Sequence, residues 1–187
     1  MRAFLFLGAP MNILPARELP WPIVWPGVVE IAHSENLRLR AYRDIAGVWT
    51  IGWGETGGVR ENDVWTKEQA DAQLCKRLTE FADAVERQLT APATPYQFAA
   101  MVSLAYNIGA DGFARSSVLR AHNAGNTLAA ARAFGLWNKA RVDGVLREVR
   151  GLTARRARES ALYLASAPET RPPLDAVPED MAGAMVE

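Results

Sequence analysis

The stretch His33-Ser-Glu-Asn-Leu-Arg-Leu-Arg-Ala-Tyr-Arg-Asp-Ile-Ala-Gly-Val-Trp-Thr-Ile-Gly-Trp-Gly-Glu-Thr56 decides how this chain folds. Its first carboxylate, Glu35, closes an apolar run from Pro26 to Leu37 that reads as a helix, opened by a proline where a missing N–H costs least. A second carboxylate, Asp44, follows nine residues later, and a hydroxyl, Thr50, six residues after that. The half from Val48 to Gly54 alternates β-formers with glycines and reads as a twisted hairpin. A helix end facing a small sheet across a gap, with one acid on each side, is what cleavage of a glycosidic bond requires.

Working outward, residues 40–65 read as a short antiparallel sheet with a turn at Glu55-Thr-Gly-Gly58. Thr66-Lys-Glu-Gln69 has the spacing of a capping box, in which a threonine hydroxyl and a glutamine side chain satisfy each other's backbone N–H groups. Behind it Ala70, Leu74, Leu78, Phe81, Val85 and Leu89 recur every three or four residues, predicting a long amphipathic helix that joins the sheet lobe to a helical lobe. Thr90-Ala-Pro-Ala-Thr-Pro95 breaks it, and Tyr96–Ile108, apolar nearly all round, predicts the buried central helix of the second lobe. Gly109-Ala-Asp-Gly112 reads as a turn, Ser116 as the cap of a short helix, and Asn126 or Thr127 as the cap of one running to Trp137. Thr153 is expected to cap a last helix, 154–165. The fold class is therefore α+β, mainly α.

A chain of 187 residues, 49% of them hydrophobic and six of them Trp, can bury one substantial core. Its single cysteine, Cys75, excludes an internal disulfide framework and reads as a small core residue. Cys75, His33 and His122 make no ligand set, so neither metal nor other cofactor is expected. Net charge is zero, which argues against a dedicated nucleic-acid binder. Between Arg115 and Arg158, however, ten basic residues face only Asp143 and Glu148. That segment is either a solvated surface or a face for an anionic envelope polymer. The apolar run 3–14 is too short to span a bilayer and lacks a clean cleavage site, so a packed or strand-like extension is expected. Pro20-Trp-Pro-Ile-Val-Trp-Pro26 is a stiff connector. The division expected is an extension and connector at 1–26, a catalytic domain at 27–167 and a Pro-rich tail at 168–187.

Three ordered blocks resemble the phage-type lysozymes, the T4-like and lambdoid endolysin muramidases that cut peptidoglycan. The first holds Glu35, Tyr42-Arg-Asp44 and Thr50-Ile-Gly-Trp-Gly-Glu-Thr56; the second runs from Tyr96 to Gly109, with Phe113, Ser116 and Leu119-Arg120; the third has Phe134, Trp137-Asn138 and Gly151-Leu-Thr-Ala-Arg-Arg156 with Glu159. The resemblance implies a lysozyme-like fold with a hairpin lobe and a helical lobe. It also implies hydrolysis of the β-1,4 bond between N-acetylmuramic acid and N-acetylglucosamine. In that scheme Glu35 is the general acid, and Asp44 and Thr50 hold the attacking water. Partial desolvation beside Ile31, Leu37 and Leu39 favours the protonated acid that leaving-group departure needs. Taken singly, each of the three residues has a bland reading: a solvated helix end, a turn aspartate, an ordinary strand threonine.

Trp53 and Ser116 are expected to line the cleft, although Trp53 could equally be buried and Ser116 only a cap. Trp137, Phe134 and Tyr106 are assigned to the core. Two positions depart from the family pattern: Asn36 stands where glycine usually follows the acid, and Glu55 where histidine is common. Glu55 would add a third negative charge near Glu35 and Asp44, to be met by Arg38, Arg40 or Arg43 or else to shift the pH optimum. The rival readings are a lytic transglycosylase, a chitinase, and an inactive wall-binding phage protein. The expected partner is the glycan strand, with no nucleic acid and the basic segment available to an anionic envelope surface. A monomer is expected, made in the host cytoplasm and acting on the periplasmic wall.

Overall fold

A computed structural model describes residues 14–44, 47–142 and 144–166. The tail from 168 and all but the last residue of the apolar run 3–14 lie outside the described residues. Helix α1 (Trp25–Glu35) carries its proline in the first turn and buries Val28, Ile31 and Ala32. It ends at Asn36, whose φ is +56° and whose N–H reaches back to the Ala32 carbonyl. Asparagine tolerates a positive φ better than most residues with a Cβ.

Strands β1 (Arg38–Arg43) and β2 (Trp49–Gly52) pair antiparallel, with Tyr42 opposite Thr50 and Arg43 opposite Trp49. Residues 63–65 return along the other edge of β1, the Ala41 N–H donating to Asp63 and the Trp65 N–H to Leu39. Helix α2 (Lys67–Glu86) starts on the expected Thr66–Gln69 capping box and buries Ala70, Leu74, Leu78, Ala82 and Val85. Helix α3 (Pro95–Ile108) has a second such box, Thr94–Gln97, and its run from Ala99 to Ala105 is buried throughout. It packs against α1, α2 and α7 (Arg150–Leu164), so it is the core of the helical lobe. Helices α4 (Ala110–Ala114), α5 (Ser117–Asn123) and α6 (Thr127–Ala133) complete that lobe, with a 3-10 turn at Phe134–Trp137.

Two local expectations need correction, and one further element is present. The segment 109–112 is not a plain turn, because the Phe113 N–H closes on the Gly109 carbonyl and starts α4. Thr153 is not a cap: α7 begins at Arg150, and the Thr153 hydroxyl donates to the Val149 carbonyl inside its first turn. Between Trp137 and α7 a hairpin appears, β3 (Lys139–Val142) and β4 (Val145–Glu148). Its signal was Asp143-Gly144, the two-residue turn that matches strand twist, between Val142 and Val145.

The proline-rich connector lies against α2. The Ala16 N–H donates to Asp71, the Trp21 indole N–H to the Ala16 carbonyl, and Ile23 enters the core. Cys75 is half-buried rather than in the core, its sulfur 3.6 Å from the Pro20 carbonyl oxygen. Partial desolvation raises its pKa, which keeps the thiol protonated and unreactive.

Candidate active site

Glu35 ends α1 with 19% of its side chain exposed, and its Oε1 accepts a 2.7 Å hydrogen bond from Arg155 Nη1 of α7. The other oxygen faces the turn after β2. A Cβ added at Gly54 would stand 2.9 Å from Glu35 Oε2, and Gly54 has φ +87°. Glycine is needed there twice over, for the conformation and for the bare Cα that lets the carboxyl approach.

Asp44 and Thr50 lie on the β1–β2 hairpin. Its register pairs Tyr42 with Thr50, and the Asp44 and Val48 backbones bond each other just beyond the strands. With side chains alternating, Tyr42, Asp44, Val48 and Thr50 share one face. Asp44 Oδ1 also accepts from the Val48 N–H at 2.8 Å, bracing the loop. The buried Thr50 hydroxyl donates to the Val48 carbonyl at 3.1 Å, leaving its oxygen to act as an acceptor. The acid and the hairpin are thus brought together at Gly54, and Asp44 and Thr50 are brought together by register.

Behind Glu35 lies a charged cluster built from Arg155, Arg156 and Glu159 of the third block. Arg155 Nε donates to Glu159 Oε1 at 3.0 Å, Arg156 Nε stands 3.1 Å from Glu159 Oε2, and the Ser103 hydroxyl donates to Glu159 at 2.7 Å. The Glu159 side chain is fully buried, and that of Arg155 is only 5% exposed. Burial pulls the Arg155 guanidinium down, but Glu35 and Glu159 outweigh it and hold its pKa above the ordinary value. Burial dominates at Arg156, whose pKa falls to about 10, still charged at neutral pH. Arg155 therefore fixes the rotamer of Glu35 from a rigid support. The sequence signal was the spacing of Glu159, four residues after Arg155 and three after Arg156, which puts the acid within reach of both on a helix.

Tyr106, assigned to the core, is only half-buried and borders the site. Its phenol donates to the Trp53 carbonyl at 2.9 Å. Burial first, and then the charge of Glu35, push its pKa up, so it remains a donor. Trp53 itself is buried, its indole N–H bonded to Asp71 at 2.9 Å, so its ring presents no open face to a sugar. Ser116 is buried too, and its hydroxyl accepts the Leu119 N–H as cap of α5.

Glu55 does not rely on Arg38, Arg40 or Arg43. Arg38 stacks on Tyr42, while Arg43 stacks on Trp49 and donates to the Gly47 carbonyl. The Glu55 carboxylate instead accepts from Gln73 at 2.6 Å and from the Thr56 and Gly57 N–H groups, with Arg77 3.6 Å away. Burial alone would raise its pKa, but these donors together hold it below the usual glutamate range. Glu55 joins the turn after β2 to α2.

An open pocket of about 400 Å³ is lined by Ser34 and Glu35 of α1, Asn107 of α3, and Val149, Gly151, Leu152 and Arg155 around the start of α7. No group of three or more His, Cys, Asp or Glu residues able to hold a metal occurs among the described residues.

The phage lysozyme family model matches residues 32–159. The chain is 39% identical over 137 residues to the endolysin of Acyrthosiphon pisum secondary endosymbiont phage 1, spanning 73% of this chain and 94% of the relative. With the endolysin of Salmonella phage P22 it is 40% identical over 143 residues, spanning 74% and 94%. Among solved structures, the muramidase domain of SpmX from Asticaccaulis excentricus superimposes with TM-score 0.73 at 38% identity, covering 78% of this chain and 99% of the other. The endolysin from Escherichia coli O157:H7 phage FAHEc1 superimposes with TM-score 0.74 at 35% identity, covering 80% and 97%.

Proposed function

Since this chain belongs to the phage lysozyme family and is a lysozyme-type glycoside hydrolase, we propose that it cuts the β-1,4 bond between N-acetylmuramic acid and N-acetylglucosamine in bacterial peptidoglycan. Glu35 protonates the leaving oxygen. Asp44 and Thr50 accept hydrogen bonds from a water; as its oxygen attacks the anomeric carbon from the opposite side, Asp44 takes one proton and the other stays in the new hydroxyl. Thr50 suits this task because its own proton is committed to the Val48 carbonyl, so it can only accept from the water. Trp53 and Ser116, both buried, do not touch sugar.

The observation that most supports this reading is the placement of Glu35. One oxygen is tethered to Arg155, and the other faces the bare Gly54 at the hairpin that carries Asp44 and Thr50. Residues 27–167 form the catalytic domain, with the connector packed on it. The enzyme is made in the cytoplasm of an infected cell and reaches the wall after release.

Mass spectrometry of the ends released from purified peptidoglycan tests the reading, with Glu35→Gln as control. Reducing-end muramic acid that disappears in the variant is expected. Anhydromuramyl ends would transfer the chain to transglycosylase chemistry, in which the muramyl O6 replaces water. No cleavage by the parent would leave a wall-binding protein.

A further inference from the structure

One turn of α3 supports both sides of the active site. On one side, α1 and α7, which carry Glu35 and Arg155, both pack on α3. Arg155 Nη2 donates to the Ser103 carbonyl at 3.4 Å, and the Ser103 hydroxyl donates to the buried Glu159 carboxylate that anchors Arg155. On the other side stands Tyr106, three residues after Ser103 and so on the same face of the helix. Its phenol donates to the Trp53 carbonyl at 2.9 Å.

Trp53 comes directly after β2, three residues past Thr50, and its carbonyl belongs to the peptide unit that leads into Gly54. Gly54 is where the hairpin meets the acid, since an added Cβ would stand 2.9 Å from Glu35 Oε2. The bonds from this turn to Asp71 and Gln73 run through side chains to α2. They hold the turn to a helix that does not carry the acid. The Tyr106 bond instead grips the main chain, from the helix on which the supports of the acid rest. The phenol ring is itself set against Phe81 of α2, with centroids 5.3 Å apart at 54°. Burial first, and then the charge of Glu35, keep it protonated, so it donates throughout the neutral range.

We propose that Tyr106 is a positioning residue of the hydrolysis, its hydroxyl setting the gap between Glu35 and the hairpin that carries Asp44 and Thr50. The inference rests on the muramidase reading, in which the sugar and a water must fit between the acid and that hairpin. Attack from the opposite side asks for carboxyls roughly 6.5–9.5 Å apart, and a misplacement of about 1 Å can cost about 10²-fold in rate. With its hydrogen committed to the Trp53 carbonyl, the phenol acts through the hairpin rather than by donating to the sugar.

The test is Tyr106→Phe, which keeps the ring against Phe81 and removes only the hydroxyl. On soluble peptidoglycan fragments, kcat should fall roughly ten- to hundredfold while KM stays within about twofold. In a Thr50→Ala background the same change should cost about threefold or less, because the water has already lost the hold that Tyr106 would position. Val85→Ala is the stability control. It truncates a fully buried side chain of α2, twelve residues beyond Gln73 and so about 18 Å along the helix. It should lower Tm at least as far as Tyr106→Phe and leave kcat unchanged, with every variant assayed below its unfolding range. An unchanged kcat in Tyr106→Phe, a rise in KM alone, an equal loss in the Thr50→Ala background, or the same loss of kcat in Val85→Ala would each overturn the inference. Failure of the parent to release reducing ends would instead sink the muramidase reading itself.

Discussion

Replacing Arg155 by methionine tests the idea that a buried charge cluster holds Glu35, the proposed acid. The substitution keeps most of the volume and removes three hydrogen bonds, to Glu35, to Glu159 and, at 3.4 Å, to the Ser103 carbonyl. Glu159 is the costly loss, because its carboxylate is fully buried. Breaking a buried pair by deleting one partner costs about 3–5 kcal/mol. Arg156 remains 3.1 Å from the other Glu159 oxygen and Ser103 still donates, which points to the lower end, about 3 kcal/mol. For a domain of this size that is a drop in Tm of roughly 6–12 °C. Thermal and urea unfolding read the stability, and a double variant with Glu159→Gln reads the coupling. Glu159→Gln should cost clearly less in the Arg155→Met background than in the parent, since the two share one interaction. Below the unfolding range, hydrolysis should fall about 10²-fold, because an untethered Glu35 no longer meets the leaving oxygen in register. A Tm within about 3 °C of the parent, with strictly additive variants, would refute the reasoning and make the cluster a passive filling of the lobe.

Three further outcomes follow from local features. Asn36→Gly should gain about 0.5 kcal/mol and Asn36→Ala lose about 1 kcal/mol in urea unfolding, because at a φ of +56° glycine has no Cβ to strain, while alanine keeps the Cβ and loses the short polar side chain that eases this conformation. Glu55 is held below its usual range when folded, so its share of stability is present above that range and disappears as pH falls through the folded value. Glu55→Gln should therefore cost about 1–2 kcal/mol at pH 7, and the cost should shrink progressively as pH falls below the usual glutamate range, as read from paired denaturation curves. Asp71→Ala removes the acceptor for both the Trp53 indole and the Ala16 N–H. About 1–3 kcal/mol should be lost from the stranded indole alone, and limited proteolysis should newly cut the connector near residues 14–22.

What the sequence settled by itself was local or periodic. The cap Thr66 with Gln69, the repeat from Ala70 to Leu89 and the apolar run Tyr96–Ile108 each form within one turn or along one face of a helix, so neighbouring residues suffice to declare them. The closeness of Glu35 to the hairpin is local too: a helix end and a hairpin joined by a short link can meet in few ways, and Gly54 lets them meet closely. Tertiary structure decided which partner each charge took. Arg155 reaches Glu35 across 120 residues, and Glu55 turned to Gln73 and Arg77 on α2 rather than to the nearer arginines, two of which stack on rings of the hairpin. Trp53 could have stacked on a sugar by its composition, but a buried Asp71 on α2 accepts its N–H and holds the ring inside. An ion pair or an indole bond carries no sequence period. Its energy depends on how many competing charges the packed elements leave within reach, and that number exists only once the lobes have closed on each other.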